Sequence, residues 1–76
     1  MVLGVTYPNE IGPRLARIRK NKGYSLRKLS SKTGLHLATI SKVETGHNLP
    51  TIGTLDIWCK ALGVTEITIR FGGSPE

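Results

Sequence analysis

The sequence has little of several residue types, and each shortage excludes a class of protein. Cys59 is the only cysteine among 76 residues, so no disulfide can form within the chain, and a reducing location, the cytoplasm with its nucleoid, is expected. One cysteine and two histidines, placed in separate helices and loops, give no metal-ligand pattern. No apolar run approaches the roughly 18 residues of a membrane-spanning helix, and no secretion signal is evident.

Motifs for catalysis are also missing. The sequence contains no acid–base pair, no phosphate-binding glycine loop and no nucleophile motif. We therefore expect no enzymatic activity, no cofactor and no metal, and no small-molecule ligand is evident.

Acidic residues are scarce, and their distribution is uneven. Eleven Lys and Arg stand against five Asp and Glu, for a formal net charge of +6. Between Ile11 and Val43 no residue is acidic, whereas nine are basic: Arg14, Arg17, Arg19, Lys20, Lys22, Arg27, Lys28, Lys32 and Lys42. Such a concentration is typical of a nucleic-acid-binding surface, although a solvated face kept for solubility is the alternative.

The middle of the chain, from Ser25 to Gly46, has the pattern of two short helices joined by a tight turn. Ser25 is a favourable N-cap, and Gly34 permits the positive φ of a sharp turn. Ile40 and Val43, three residues apart, give the second helix a buried face. The pattern predicts helices at about 26–33 and 37–45, which together form a helix-turn-helix.

Two further helices flank this motif. Asn9 is expected to cap the first, which runs to about Lys22, and Leu49 is expected to anchor the loop before the last. The last helix, at about 52–62, is capped by Thr51. Its predicted inner stripe consists of Ile52, Leu55, Cys59 and Leu62.

Alternating residues at the two ends predict short strands at 2–7 and 65–71. Disorder is the competing interpretation for the first, because chain ends fray. In the second, Ile67, Ile69 and Phe71 share one apolar side. Residues 72–76 are predicted to be a disordered polar tail. At this length the whole of 1–76 is expected to form one domain, with a helical core at 9–64.

At this point the chain resembles a known family. The pattern S-x-x-x-L-S-x-x-T-G-L-x-x-x-T-I-S-x-V-E-x-G, followed by L-P-T and A-L-G-V, is similar to Cro/repressor-type helix-turn-helix domains, also called the xenobiotic-response-element family. The resemblance covers about residues 9–64 and implies a mainly α, lambda-repressor-like bundle of about four short helices. The chain departs from the family at Leu26, where Gln is usual, at Ser30, where Ala is usual, and after Val64, where a fifth helix usually follows.

The resemblance implies that the second helix of the motif lies in the major groove of double-stranded DNA. The base-contacting residues carried over are His36, Leu37, Ala38, Thr39 and Lys42. His36 is equally explained as the cap of the helix. The phosphate-contacting residues carried over, some through backbone N–H groups, are Ser25, Leu26, Arg27, Lys28, Thr45, His47 and Asn48.

Arg19 and Glu44 are expected to pair, because the family often joins its first helix to the end of the recognition helix by an Arg–Glu salt bridge. The functional alternative is that Arg19 contacts a phosphate while Glu44 orients its guanidinium. The two interpretations are compatible.

A homodimer is also expected. An isolated apolar strand leaves backbone groups unpaired, and two copies of a two-stranded sheet could form four strands. The predicted interface residues are Ile57, Ile67, Ile69 and Phe71. A monomer whose tail folds onto its own core and a dimer formed by helices through Ile57 are the alternatives.

The leading functional hypothesis is a sequence-specific transcriptional regulator, a repressor acting as a homodimer on a palindromic or pseudopalindromic operator. One alternative is an antitoxin that regulates its own operon and binds a toxin. Another is a protein-interaction module that kept the fold without DNA binding, since Leu37 and Ala38 cannot hydrogen-bond to bases.

Overall fold

The computed structural model describes residues 1–70 and places four α-helices between two short strands. In chain order the elements are β1 (Val2–Val5), a 3-10 helix (Pro8–Glu10), α1 (Ile11–Asn21), α2 (Leu26–Thr33), α3 (Leu37–Glu44), α4 (Ile52–Leu62) and β2 (Glu66–Ile69). The predicted mainly α fold is confirmed, and α2 and α4 have the predicted bounds. Within the described part of the chain, every helix is too short or too polar to cross a membrane.

Side-chain caps explain where two helices begin. The Ser25 hydroxyl accepts from the Lys28 N–H at 3.1 Å, and the Thr51 hydroxyl accepts from the Thr54 N–H at 3.2 Å, which satisfies one free donor in each helix. The predicted cap at Asn9 is wrong. Asn9 lies inside the 3-10 helix, because Pro8 starts a tight turn that leads directly into α1, and the Ile11 N–H already donates to the Pro8 carbonyl.

The core lies between the four helices and the sheet. Its largest fully buried side chains are Trp58, Leu15, Leu29, Ile40 and Leu62. Among residues 1–70 the Trp58 indole N–H has no hydrogen-bond partner.

Two predicted core residues are exposed instead. Leu49 is 60% exposed and Ile52 is 82% exposed, so both predictions are wrong. The inner face of α4 centres on Trp58, and at about 100° per residue Ile52 lies about 120° around the helix from it. Leu49 lies in the loop before the cap residue Thr51.

The two strands pair in parallel, with Leu3 opposite Ile67 and Val5 opposite Ile69. Leu3 and Val5 are buried, whereas Ile67 and Ile69 are half-buried against the same core. Both strands are shorter than predicted because pairing covers only four residues of each, and the first chain segment bends before the 3-10 helix. Phe71 and the predicted tail at 72–76 lie outside the described residues.

Candidate nucleic-acid interface

Helix α3 has one buried face and one exposed face. Ile40 and Val43 are buried in the core at 0% and 3% exposure. The residues predicted to contact bases are all exposed: His36, Leu37, Ala38, Thr39 and Lys42. His36 is the N-cap residue by backbone position, but its side chain makes no capping hydrogen bond. Its imidazole therefore does not cap α3.

The turn between α2 and α3 is held by side-chain hydroxyls. Ser30 Oγ donates to the Leu35 carbonyl at 2.5 Å. Thr33 Oγ1 donates to the Leu29 carbonyl at 2.8 Å and accepts from the Leu35 N–H at 3.2 Å. Gly34 supplies the left-handed residue, with φ 76°. These bonds fix the angle at which α3 leaves α2, and Ser30, where the family usually has Ala, contributes one of them.

Arg19 and Glu44 form a buried pair that ties α1 to the end of α3. Arg19 Nε donates to Glu44 Oε2 at 2.7 Å and Arg19 Nη2 donates to Oε1 at 3.0 Å. Arg19 Nη1 donates to the Tyr24 carbonyl at 2.6 Å. Both side chains are 8% exposed. Because the guanidinium is buried and engaged on all three nitrogens, the geometry favours the structural role of Arg19 over a phosphate contact.

Gly12 brings α1 and α3 into unusually close contact. A Cβ at this position would lie 1.7 Å from the Val43 carbonyl oxygen and 2.6 Å from its carbon. No side chain larger than hydrogen fits unless the two helices separate. Sequence analysis missed this residue. The available signal was a glycine in a helix interior, which usually has a reason in helix contact.

The start of α2 carries four of the predicted phosphate contacts. Ser25, Arg27 and Lys28 are exposed, while Leu26 is half-buried and packs against the core. The first N–H groups of a helix have no partner within it and favour an anion. Since Ser25 already occupies the Lys28 N–H, the N–H groups of Leu26 and Arg27 are the ones placed to bind a phosphate. Leu26 can contribute only through its backbone.

The end of α3 carries the other three, Thr45, His47 and Asn48, and all are exposed. The N–H groups of His47 and Asn48 both donate to the Lys42 carbonyl, at 3.0 and 3.3 Å. The Thr45 hydroxyl bonds within its own segment, to the Ser41 and Lys42 carbonyls and to His47 Nδ1.

The basic residues do not all surround α3. Of the nine between Ile11 and Val43, eight are exposed and Arg19 is buried. Lys32 Nζ lies 5.2 Å from the centre of the Tyr24 ring and borders α4. Lys22 Nζ lies beside Gly63, at the end of α4. These two lysines contribute to the overall field more than to the surface around the recognition helix.

A second surface lies between α4 and β2. It is a groove of about 570 Å³, here called the α4–β2 groove, and apolar side chains form most of it: Ile52, Leu55, Cys59, Val64 and Ile67. Asp56, Lys60 and Glu66 stand at its margin. Burial, followed by the nearby Asp56 carboxylate, raises the pKa of the Cys59 thiol. Among residues 1–70 no three His, Cys, Asp or Glu side chains gather closely enough to bind a metal.

Comparison with known proteins agrees with this geometry. Residues 15–69 match a family model described as helix-turn-helix. The chain is 30% identical over 59 residues to an uncharacterized HTH-type transcriptional regulator, y4dJ, of Sinorhizobium fredii (strain NBRC 101917 / NGR234). The match covers 78% of this chain and 77% of that protein.

Two solved structures are similar in both fold and sequence. SinR, a master regulator for biofilm formation solved in complex with DNA, matches with a TM-score of 0.68 and 36% identity over 72% of this chain and 89% of that chain. The restriction-modification controller protein C.Esp1396I, solved as a tetramer on its natural 35 base-pair operator, matches with a TM-score of 0.69 and 26% identity. That match covers 80% of this chain and 82% of that chain.

Proposed function

The chain belongs to the Cro/repressor-type helix-turn-helix family, and from this premise we propose that it is a transcriptional regulator that binds double-stranded DNA through α3 in the major groove. We propose further that it is a repressor and binds a palindromic or pseudopalindromic operator as a homodimer. A repressor of this kind needs no catalysis, because occupying the operator is sufficient to block transcription.

The observation that carries the proposal is the exposed face of α3. Its base-facing residues are exposed while Arg19, Glu44 and Gly12 hold the helix from behind. Lys42 is the side chain suited to donate to guanine O6 and N7, and Leu37 and Ala38 are suited to thymine methyl groups. With so few polar groups on this face, sequence preference is expected to depend strongly on DNA shape.

A salt titration tests DNA binding directly. Binding of a labelled duplex, followed by fluorescence anisotropy, should weaken steeply as salt rises, because Lys and Arg contacts release counterions. Lys28→Ala should reduce the slope of log K against log salt by about 1, since one phosphate contact is lost. Lys60→Ala is the matched control, because Lys60 is equally a lysine but pairs with Asp56 on α4.

Two results would contradict the proposal. A slope near zero would mean that the basic residues do not meet phosphates. Equal effects of the two lysine variants would mean that attraction is a property of net charge and that the start of α2 is no contact site. If the salt titration instead establishes binding, selection from a random DNA pool will identify the operator.

The homodimer is supported by the way charge is distributed. Two copies of a chain with a net charge of +6 repel each other unless they meet on a neutral surface. Between Thr51 and Arg70 the chain has two acidic and two basic residues, namely Asp56, Glu66, Lys60 and Arg70. The α4–β2 groove lies in this balanced region, so a second copy of this chain is the occupant that we propose for it.

An exposed apolar side chain supports the same surface. Ile52, which lines the groove, is 82% exposed, and the outer backbone edge of β2 faces away from β1. Ile57, 42% exposed, borders a separate surface with Lys32 and Lys60. Ile67 and Ile69 already pack against their own core, so their contribution to the interface is the part left exposed. A dimer also suits the proposed function, because it would present two α3 helices to successive half-sites, which lie about 34–36 Å apart.

A pair of substitutions tests the interface. Ile52→Asp should convert the dimer to a monomer in light scattering and weaken binding to a palindromic site. Leu49→Asp is the matched control, since Leu49 is 60% exposed but does not line the groove. Both variants should keep the melting temperature, because neither side chain is buried. An Ile52→Asp protein that remained dimeric would exclude this groove as the interface.

A further inference from the structure

The loop after α3 contains a hydrogen bond between Thr45 and His47 whose direction depends on the tautomer of the ring. Thr45 Oγ1 lies 2.8 Å from His47 Nδ1. The same oxygen lies 2.9 Å from the Ser41 carbonyl and 3.2 Å from the Lys42 carbonyl. A carbonyl only accepts, and a hydroxyl has one hydrogen to donate. When that hydrogen is directed at the carbonyls, the imidazole must supply the hydrogen of the third contact.

In that case His47 carries its hydrogen on Nδ1. In the neutral ring one nitrogen carries hydrogen and the other accepts. Donation from Nδ1 to Thr45 leaves Nε2 as a bare acceptor, which cannot hydrogen-bond to a phosphate oxygen. Protonation adds a hydrogen at Nε2 and leaves the bond to Thr45 intact. Only the charged ring can therefore donate to DNA from this position.

Charged groups near this loop are few. Thr45 is the C-cap of α3. The charged residues on the adjoining elements are Lys42 and Glu44 on α3 and Glu10 in the 3-10 helix, which approaches the loop where Asn9 lies near Gly46. Glu44 is held by Arg19, and the Glu10 carboxylate accepts from the Thr6 N–H at 3.4 Å. In the described residues neither carboxylate forms a salt bridge with His47.

We infer that Thr45 is a positioning residue that makes the phosphate contact of His47 depend on a bound proton, so that DNA binding is coupled to proton uptake at the end of α3. The inference rests on the proposed function, because it needs a phosphate at this loop. It assigns Thr45 an indirect role in place of the direct phosphate contact expected from the sequence. DNA affinity should accordingly be higher at pH 6 than at pH 8.

The experiment measures affinity for a labelled random-sequence duplex at pH 6 and pH 8, at constant ionic strength. The unmodified protein should bind about three- to tenfold more tightly at pH 6, since one added charged contact is made per subunit. His47→Gln should remove this pH dependence, because a glutamine amide donates at either pH.

Two variants of Thr45 separate positioning from a general effect on the loop. Thr45→Val should reduce the pH dependence, because a ring released from Nδ1 donation can donate from Nε2 while neutral. Thr45→Ser should restore it. A long-range proton–nitrogen correlation spectrum of the free protein at pH 8 should show hydrogen on Nδ1 of His47, which tests the deduced tautomer without DNA.

The outcomes distinguish failure of the proton coupling from failure of the proposed DNA binding. Salt-dependent binding that is equal at both pH values would overturn the coupling and leave DNA binding standing. Full dependence in His47→Gln or in Thr45→Val would also overturn it, as would hydrogen on Nε2 in the spectrum. Absence of binding at both pH values would overturn the proposed function and the coupling together.

Discussion

Helices α1 to α3 and the region formed by β1, α4 and β2 share one core but differ in the charge and the apolar area that they expose. The first region has nine basic residues and one acidic residue from Ile11 to Glu44, whereas the stretch from Thr51 to Arg70 has two of each. Among residues 1–70, the only large apolar side chain exposed in the first region is Leu37; the others are Met1, Val2, Tyr7, Leu49, Ile52 and Ile57.

The two regions are also held together differently. In the first, buried or half-buried polar bonds fix the helices: the Arg19–Glu44 pair and the hydroxyl bonds of Ser30 and Thr33. In the second, the only salt bridge among the described residues, Lys60–Asp56, is exposed. The difference fits the two proposed roles. A surface that binds DNA needs polar bonds that fix the angles between its helices, while a surface that binds a second copy needs mainly apolar area.

The largest expected difference between the regions concerns their salt bridges. Glu44→Gln should lower the free energy of unfolding by about 3–4 kcal/mol, because it leaves the buried Arg19 without its counter-charge. Asp56→Asn, which breaks the exposed pair, should change it by less than about 0.5 kcal/mol. Denaturant unfolding of both variants measures the contrast, and similar losses would show that burial does not separate the two pairs. Any loss of DNA binding in Glu44→Gln should follow its loss of stability.

Two helical glycines give a second contrast. Gly12→Ala should cost about 2–3 kcal/mol, because the added carbon meets the Val43 carbonyl and forces α1 from α3. Gly53→Ala should instead stabilise the protein by about 0.5–1 kcal/mol, since the position is open and alanine favours helix. Thermal melting of the two variants should shift in opposite directions. If both rose, the close contact at Gly12 would be absent in solution.

The residues proposed to contact DNA divide into those that contact bases and those that contact phosphates. On the preferred site Lys42→Ala should cost about 1–3 kcal/mol of binding and relax the preference at one base pair. Arg27→Ala should weaken binding to preferred and random DNA by similar factors. Parallel titrations on both duplexes give the two ratios. Equal weakening of both duplexes by Lys42→Ala would reassign Lys42 to a phosphate.

The smallest expected effect is on the rate at which the Cys59 thiol is alkylated. Because burial and Asp56 raise the pKa of the Cys59 thiol, little thiolate is present at neutral pH and alkylation should be slow there and faster as pH rises. Asp56→Asn removes one cause and should modestly speed the reaction. If the α4–β2 groove is covered by a second copy, the rate should also fall as protein concentration rises. A rate independent of concentration would argue against that cover.

Much of this structure was predictable because it is local. Ser25, Gly34, Thr51 and Gly63 mark helix ends by their own chemistry, and the α2 and α4 bounds follow from them. Contacts between segments distant in the sequence were harder to predict from it. The Arg19–Glu44 pair was expected only through the family resemblance.

The errors have the same origin. Ile52 and Leu49 are apolar at suitable spacing, but the direction of the α4 inner face depends on where Trp58 enters the core. The closeness of Gly12 to Val43 and the bond from Ser30 to Leu35 depend on how whole helices cross. Periodicity along one segment does not contain that information.

The parallel pairing of β1 with β2 has a consequence for the order of folding. It joins residues 64 apart in sequence, so all four helices lie within the loop that it closes. Closing so long a loop costs entropy before any contact is gained, whereas the helix-turn-helix forms from near neighbours. The helices should therefore assemble first and the sheet should close last and open first. In native-state hydrogen exchange, the amides of Leu3 and Ile67 should lose protection before those of Leu29 and Ile40.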